Sequence, residues 1–203
     1  MDLQSLIEQF VIESAFSLSY YEEKGLALYV DGDGQYKVII LYSPEEYKNY
    51  DSFVEEVIFG RLTITYNESA QAWEVSTSVA QENYGPTLYD IAMSMIYPMP
   101  LISDRVDVTP DARNVWDFYF RNRKKEFDII PIKNKKDMFL PAISKNFILN
   151  HTYTIKNPIN YKNLLRKSDD FFSSQFPTKE KRVEAKMKLE RAANAYFHLR
   201  HGS

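Results

Sequence analysis

Residues 71–96 read QAWEVSTSVAQENYGPTLYDIAMSMI. The first nine, 71–79, alternate in polarity and are rich in β-branched side chains, which predicts a half-buried strand. Polar residues and Gly85 then give a turn. Pro86 falls at a first helical position, where its missing N–H costs nothing. Leu88, Ile91, Ala92, Met95 and Ile96 follow at helical spacing, so 86–97 reads as a helix with one buried face. Pro98 and Pro100 end it. A strand that turns straight into a helix leaves several N–H groups aimed at one spot, beside the positive end of the helix dipole. Such a place suits a phosphate. Gly85 would let a ligand approach the backbone, and Asn83 tolerates a left-handed conformation. The plainer reading of Gly85-Pro86 is an ordinary tight turn into a helix, and both readings stand.

Working outward, residues 26–30 and 36–42 are β-prone and flank Asp31-Gly32-Asp33-Gly34, which predicts a hairpin. The Asp-Gly repeat lacks the third ligand pair and closing Glu of a calcium loop. Leu3, Leu6, Ile7, Phe10, Val11 and Ala15 predict an amphipathic helix over 2–17. Ser43-Pro44-Glu45-Glu46 starts a short helix. Residues 53–66 are β-rich, and Asn67–Ala70 turns the chain into the strand at 71–79. Downstream, 100–104 is a short apolar strand. Thr109-Pro110-Asp111 caps a helix whose apolar face is Ala112, Val115, Trp116, Tyr119 and Phe120. Beyond 128 the pattern weakens: 128–132 and 147–155 read as strands, and Thr178 caps a long polar helix over 179–200, with Val183, Met187, Leu189 and Ala193 as its weak apolar face.

Composition bounds the function classes. The 203 residues are 44% hydrophobic and 26% charged, as in ordinary soluble domains, and 15% aromatic, with 15 Tyr and 13 Phe. Cysteine is absent, which excludes a disulfide framework, a thiolate zinc site and a cysteine nucleophile. The chain holds no Gly-x-Ser-x-Gly and no Walker motif. Its three histidines do not share a metal-like spacing, apart from His198 and His201 at the chain end. No apolar stretch is long enough to span a membrane, and acids stand at the N-terminus where a signal peptide has bases, so a cytoplasmic protein is expected. Residues 1–127 carry a net charge of −11 and residues 128–203 one of +8. The basic section is a candidate for nucleic acid or another anionic partner; scattered as its cations are, it also reads as a face attracted to the acidic body.

The order WEVSTSVAQENYGPTLYDIAMSMI, then LISDRVDVTPDARNVWDFYFRNR, resembles the GNAT family of N-acyltransferases, and looks most like its divergent members in tailed-phage genomes. The resemblance covers about residues 58–123. It implies an α+β fold, with a GNAT-like mixed sheet flanked by helices over 1–132. The basic C-terminal extension over 133–203, ending in a long helix, is expected to pack on that body, because its apolar residues between Phe139 and Phe176 are too many to leave in water. The resemblance also implies acyl transfer from acetyl-CoA, or another acyl-CoA, to an amine on a small molecule or protein, in the cytoplasm (the host's, if the protein is viral). The family's Arg/Gln-x-x-Gly-x-Gly/Ala loop, laid with its last glycine on Gly85, puts Asn83 at the first glycine and Ala80 at the Arg/Gln, with Gln81 next door. By this likeness the main chain of Val75, Ser76 and Thr77 pairs with the pantetheine arm. Gln81, Glu82, Asn83, Tyr84 and Gly85 form the pyrophosphate loop, and Pro86, Thr87, Leu88 and Tyr89 cap the pyrophosphate at the start of the helix. Glu74 is then the candidate base, and equally a solvent-facing strand residue. Ala112 matches the family's small residue, and Trp116 stands where the family often has the Tyr that protonates the leaving thiolate. Tyr119, one turn on, is the candidate acid, although its core-facing helical spacing favours a core residue. Asp104-Arg105 is an ion pair or a substrate contact. The alternatives are a non-enzymatic protein on the same fold, binding a host or virion protein, and a nucleic-acid binder acting through its basic end.

Overall fold

A computed structural model describes residues 18–48, 54–132 and 147–201. The expected helix over 2–17 lies outside them. The described chain is α+β, with a seven-stranded mixed sheet flanked by helices. Its elements are α1 (Leu18–Glu23), β1 (Ala27–Gly32), β2 (Tyr36–Tyr42), α2 (Pro44–Lys48), α3 (Val54–Val57), β3 (Ile58–Asn67), β4 (Ala72–Ala80), α4 (Gly85–Ile96), β5 (Leu101–Ile102), α5 (Pro110–Asn122), β6 (Phe127–Pro131), β7 (His151–Ile155), α6 (Lys162–Gln175) and α7 (Lys179–His201). A single 3-10 turn, Phe147–Asn150, leads into β7.

The sheet order is β1-β2-β3-β4-β5-β7-β6. The first four strands form an antiparallel meander. β4 and β5 are parallel neighbours joined through α4, as the sequence predicts. β7 runs antiparallel between β5 and β6. The dividing line expected at residue 132 therefore falls inside one continuous sheet, and the later residues supply an interior strand.

Local chemistry fixes the turns. Asp33 Oδ1 accepts the amides of Gln35 and Tyr36 and closes the first hairpin. Gly32 sits at φ +122, and a Cβ there would lie 2.0 Å from the Tyr36 carbonyl oxygen. Asn67 Oδ1 accepts the Ala70 amide and shapes the β3–β4 turn. Thr109 caps α5 by accepting from the Ala112 amide.

The two faces of the sheet carry separate cores, because alternate strand residues point to opposite sides. On one face Leu28, Ile39, Leu41, Leu62, Ile64, Trp73 and Val75 pack with α1, α4 and α5. On the other, Ala27, Tyr29, Val38, Ile40, Tyr42 and Val79 pack with α2, α6 and α7. β4 contributes to both, and the reason is a bulge. Thr63 pairs with Thr77 and Ile64 with Val75, so Ser76 is the extra residue. Trp73 and Val75 face the first core, and beyond the bulge Val79 faces the second. The Ser76 hydroxyl is hydrogen-bonded to that of Thr65.

Three elements differ from the sequence reading. Residues 54–57, read as strand, form the helical turn α3. Residues 147–150 are 3-10 rather than strand. Residues 162–175, to which the sequence pattern assigned no element, are the helix α6, with Leu164, Ser168, Phe171 and Phe172 buried along one stripe. The buried face of α7 also differs: it is Ala185, Leu189, Ala192, Ala193 and Tyr196, whereas Val183 and Met187 are half exposed.

Candidate functional site

β4 and β5 are paired for two residues, Trp73 with Leu101 and Glu74 with Ile102. There they part. β5 ends at Ile102, while β4 continues to Ala80 with its free edge turned to the gap. The gap is a cavity of about 340 Å³. Val75, Ser76, Thr77 and Ser78 form its β4 wall; Asp104, Asp107, Val108, Thr109, Ala112 and Trp116 form the opposite one. A second cavity, of about 630 Å³, continues along Ser78–Asn83 to the start of α4. The two share Ser78, Tyr89, Thr109 and Ala112, so they are compartments of one groove.

At the far end the loop carries the features a phosphate-sized anion would need. Asn83 is left-handed, with φ 71, as its side chain permits. Gly85 is the first residue of α4, with Pro86 behind it. Among the described residues, the amides of Asn83, Gly85 and Thr87 have no backbone partner, while that of Tyr84 donates to the Gln81 carbonyl. Gly85 is not left-handed, and a Cβ there would rest 3.6 Å from Val115. Its lack of a side chain thus opens room toward α5 and relieves no backbone strain.

The predicted site residues separate into two groups. Val75, Ser76, Thr77, Gln81, Glu82, Asn83, Gly85 and Pro86 line the groove. Tyr84 and Thr87 are not among its lining residues. The Tyr84 ring packs on Phe59 and Tyr21, and buried Thr87 shares a 2.5 Å hydrogen bond with Tyr21. The Gln81 side chain donates to the carbonyls of Glu55 and Ile58, so it ties the loop to β3.

The candidate base and acid stand outside the groove lining. Glu74 accepts from Asn67 Nδ2 at 2.7 Å and from the Arg105 amide at 2.8 Å. It clamps the β3–β4 turn to the exit of β5. Tyr119 is fully buried, and its hydroxyl lies 2.7 Å from the Pro86 carbonyl and 3.0 Å from Asp90 Oδ1. Burial and the Asp90 carboxylate push its proton affinity well above the ordinary phenol range. Asp104 and Arg105 turn to different partners: Asp104 accepts the amides of Val106 and Asp107, and Arg105 reaches the carbonyls of Ser103 and Leu149.

Further residues complete the groove, and of these Phe197 and Arg200 had no assignment from sequence. Tyr89, at the junction, donates to Ser78 at 3.0 Å; burial pushes its phenol up to about 12. Phe197 and Arg200 come from α7, far along the chain from the other lining residues. Ala112 and Trp116, singled out by their place in the sequence, both line the first compartment. The lining carboxylates are Glu82, Asp104, Asp107 and Asp111.

Compared with known proteins, the chain matches no family model, no curated protein and no solved structure. No described helix is long and apolar enough to cross a membrane.

Proposed function

We propose that the groove binds an acyl-coenzyme A and that the protein is an N-acyltransferase built on a GNAT-like fold. The observation that carries this reading is the parting of β4 from β5 just before a bulge at Ser76. It leaves a strand edge facing a cavity that leads to unpartnered amides at a helix start. An extended amide-bearing chain can add to such an edge as a further strand, and a pyrophosphate can rest on the amides beyond it. The pantetheine arm of coenzyme A has this chemistry, with the thioester at one end and the pyrophosphate at the other. Val75, Ser76 and Thr77 would hold the arm and Asn83–Pro86 the phosphates.

In the transfer, an amine nitrogen attacks the thioester carbonyl. The C–N bond forms, the C–S bond breaks, the ammonium gives up a proton and the thiolate takes one. Glu74 and Tyr119 are held in other contacts, and the hydroxyls of Tyr89 and Ser78, at the junction of the compartments, would face the arm between the thioester and the phosphates. Asp104 and Asp107 stand on the facing wall, where a cationic amine would approach. Calorimetry with coenzyme A, followed by mass-spectrometric detection of acetyl transfer to a peptide and polyamine panel, tests the reading. Absence of binding at millimolar ligand would sink it.

The four lining carboxylates favour a second reading, a non-enzymatic binding protein on the same fold, since they oppose an anionic ligand. A stable complex in a pull-down, with the groove empty in a crystal soaked with coenzyme A, would select it. The basic C-terminal section keeps nucleic acid in view; a binding constant that falls steeply with salt would identify phosphate contacts.

A further inference from the structure

The last turn of α7 reaches the groove from the side opposite α4. α7 packs on the second core, through Leu189, Ala192, Ala193 and Tyr196, whereas α4 packs on the first. Beyond Tyr196 the helix passes the free edge of β4. Phe197 lines the compartment bounded by Val75–Ser78, and its ring lies 6.0 Å from the Arg61 guanidinium carbon. Arg61 in turn donates to Thr77 on β4. One helical turn on, Arg200 lines the compartment that holds the loop before α4. Residues at this spacing share a helix face, so a single turn of α7 supplies a wall to both compartments.

Charge gives that turn its importance. The lining of the second compartment includes two carboxylates, Glu82 and Asp111, and one cationic side chain, Arg200. A phosphate placed at the Asn83–Gly85 amides would meet those carboxylates, and Arg200 is the cation on hand to offset them. Its ion pair with Glu55 is long, 3.7 Å from Nε to Oε1, and both members are half exposed, so the pair holds them weakly. The guanidinium carbon also lies 5.6 Å from the centre of the Tyr196 ring, a second contact that a phosphate would have to outcompete. A guanidinium so held can turn to a phosphate, which it recognises through paired N–H donors.

We propose that Arg200, carried by the C-terminal helix, is the phosphate-binding cation of the groove, standing in for the Arg or Gln that the loop lacks at Ala80. The assignment rests on the acyl-coenzyme A reading above. It makes the C-terminal section part of the ligand site, with an anionic phosphoryl ligand as the class it selects.

Calorimetry on the full chain, with coenzyme A and with pantetheine, which lacks the phosphates, tests it. Arg200→Gln should weaken coenzyme A binding by about tenfold or more, the scale of a charge-assisted contact, and leave pantetheine binding unchanged. Leu199→Ala, at a neighbouring exposed position, should bind both as the parent does. Equal melting temperatures for the three proteins show that the fold is intact. If the parent binds coenzyme A and Arg200→Gln binds it equally, the assignment of Arg200 is wrong and the acyl-coenzyme A reading stands. If Arg200→Gln weakens both ligands alike, Arg200 acts on the shape of the groove and the assignment again fails. If the parent binds neither ligand, the acyl-coenzyme A reading falls and takes this assignment with it.

Discussion

Arg123 Nη1 lies 2.7 Å from Oδ1 and 2.8 Å from Oδ2 of Asp90, and both side chains are closed off from solvent. The pair ties the end of α5 to the middle of α4, directly behind the groove. Tyr119 joins it through Asp90, and Glu126 meets Arg123 from the surface at 2.7 Å. Arg123→Met removes one partner and strands a buried carboxylate, so unfolding in denaturant should show a loss of about 3–5 kcal/mol. Asp90→Asn should cost less, because Glu126 still pairs with the guanidinium. The reverse order would mean that Arg123 is the better solvated of the two.

The same pair gives a pH dependence. Burial lifts the Asp90 carboxyl to about 6, against the opposing pull of Arg123 and the Tyr119 hydroxyl. In the unfolded chain it titrates near the ordinary 3.8. The folded protein therefore holds this proton more tightly. Its stabilising contribution is full below the unfolded value and fades as the pH rises through about 6, with a slope of at most about 1.4 kcal/mol per pH unit. Denaturation of the parent and of Asp90→Asn across this window should give diverging curves. Parallel curves would show that Asp90 keeps an ordinary affinity.

Gly60 permits α4 to lie against β3. A Cβ at this position would come 2.5 Å from Leu88 Cδ1, 3.2 Å from Ala80 Cβ and 3.3 Å from the Val79 carbonyl oxygen. Leu88 is buried and cannot swing away. Gly60→Ala should cost about 1–3 kcal/mol, and Leu88→Ala in the same chain should remove part of that penalty. Strictly additive costs in the double variant would rule out the contact.

On α7, Leu189 is fully buried and Met187 is 46% exposed. Leu189→Ala should lose about 2–5 kcal/mol and Met187→Ala less than about 0.5 kcal/mol. Equal losses would return Met187 to the packed face that its hydrophobicity suggests.

β6 is hydrogen-bonded to β7, and β7 to β5. A fragment of residues 1–132 therefore loses an interior strand and, from the second core, the helices α6 and α7. Thermal melting of that fragment should show no cooperative transition. A soluble fragment with the parent's melting temperature would contradict this.

The central unit was legible because its signals are local. Alternation from Trp73 to Val79, Pro86 in the first helical turn and Thr109 at a cap each act through the residues beside them, and the observed strand and helix ends fall within a residue of those expected. α6 was missed because its start carries no side-chain cap, Tyr161 making none, and because Ser168 interrupts its apolar stripe. That serine is buried against the Tyr42 hydroxyl at 2.9 Å, a partner 126 residues away. On α7, Leu189 and Ala193 were expected on the buried face and lie there, but Val183 and Met187 were misplaced because alanines, Ala185 and Ala192, carry the rest of it, and an alanine gives little apolar signal. Sequence spacing placed Glu74 and Tyr119 on the right elements. Which way each side chain turned depended on Asn67, Arg105, Pro86 and Asp90, and a one-dimensional pattern does not carry those meetings.

The surplus residue at Ser76 gives β4 its bend and little on which the cores depend. Its side chain contributes one hydroxyl contact, to Thr65, which alanine or threonine could forgo or replace at small cost. Deleting the position would close the bulge: Thr77 would follow Val75 directly, still opposite Thr63, and every side chain from Thr77 to Ala80 would keep its face. Val79 would stay in the α7 core. What would go is the local bend and added twist, at the place where the strand leaves β5 and walls the groove. The length of β4 at Ser76 is therefore a control on the shape of the groove to which the two cores are indifferent.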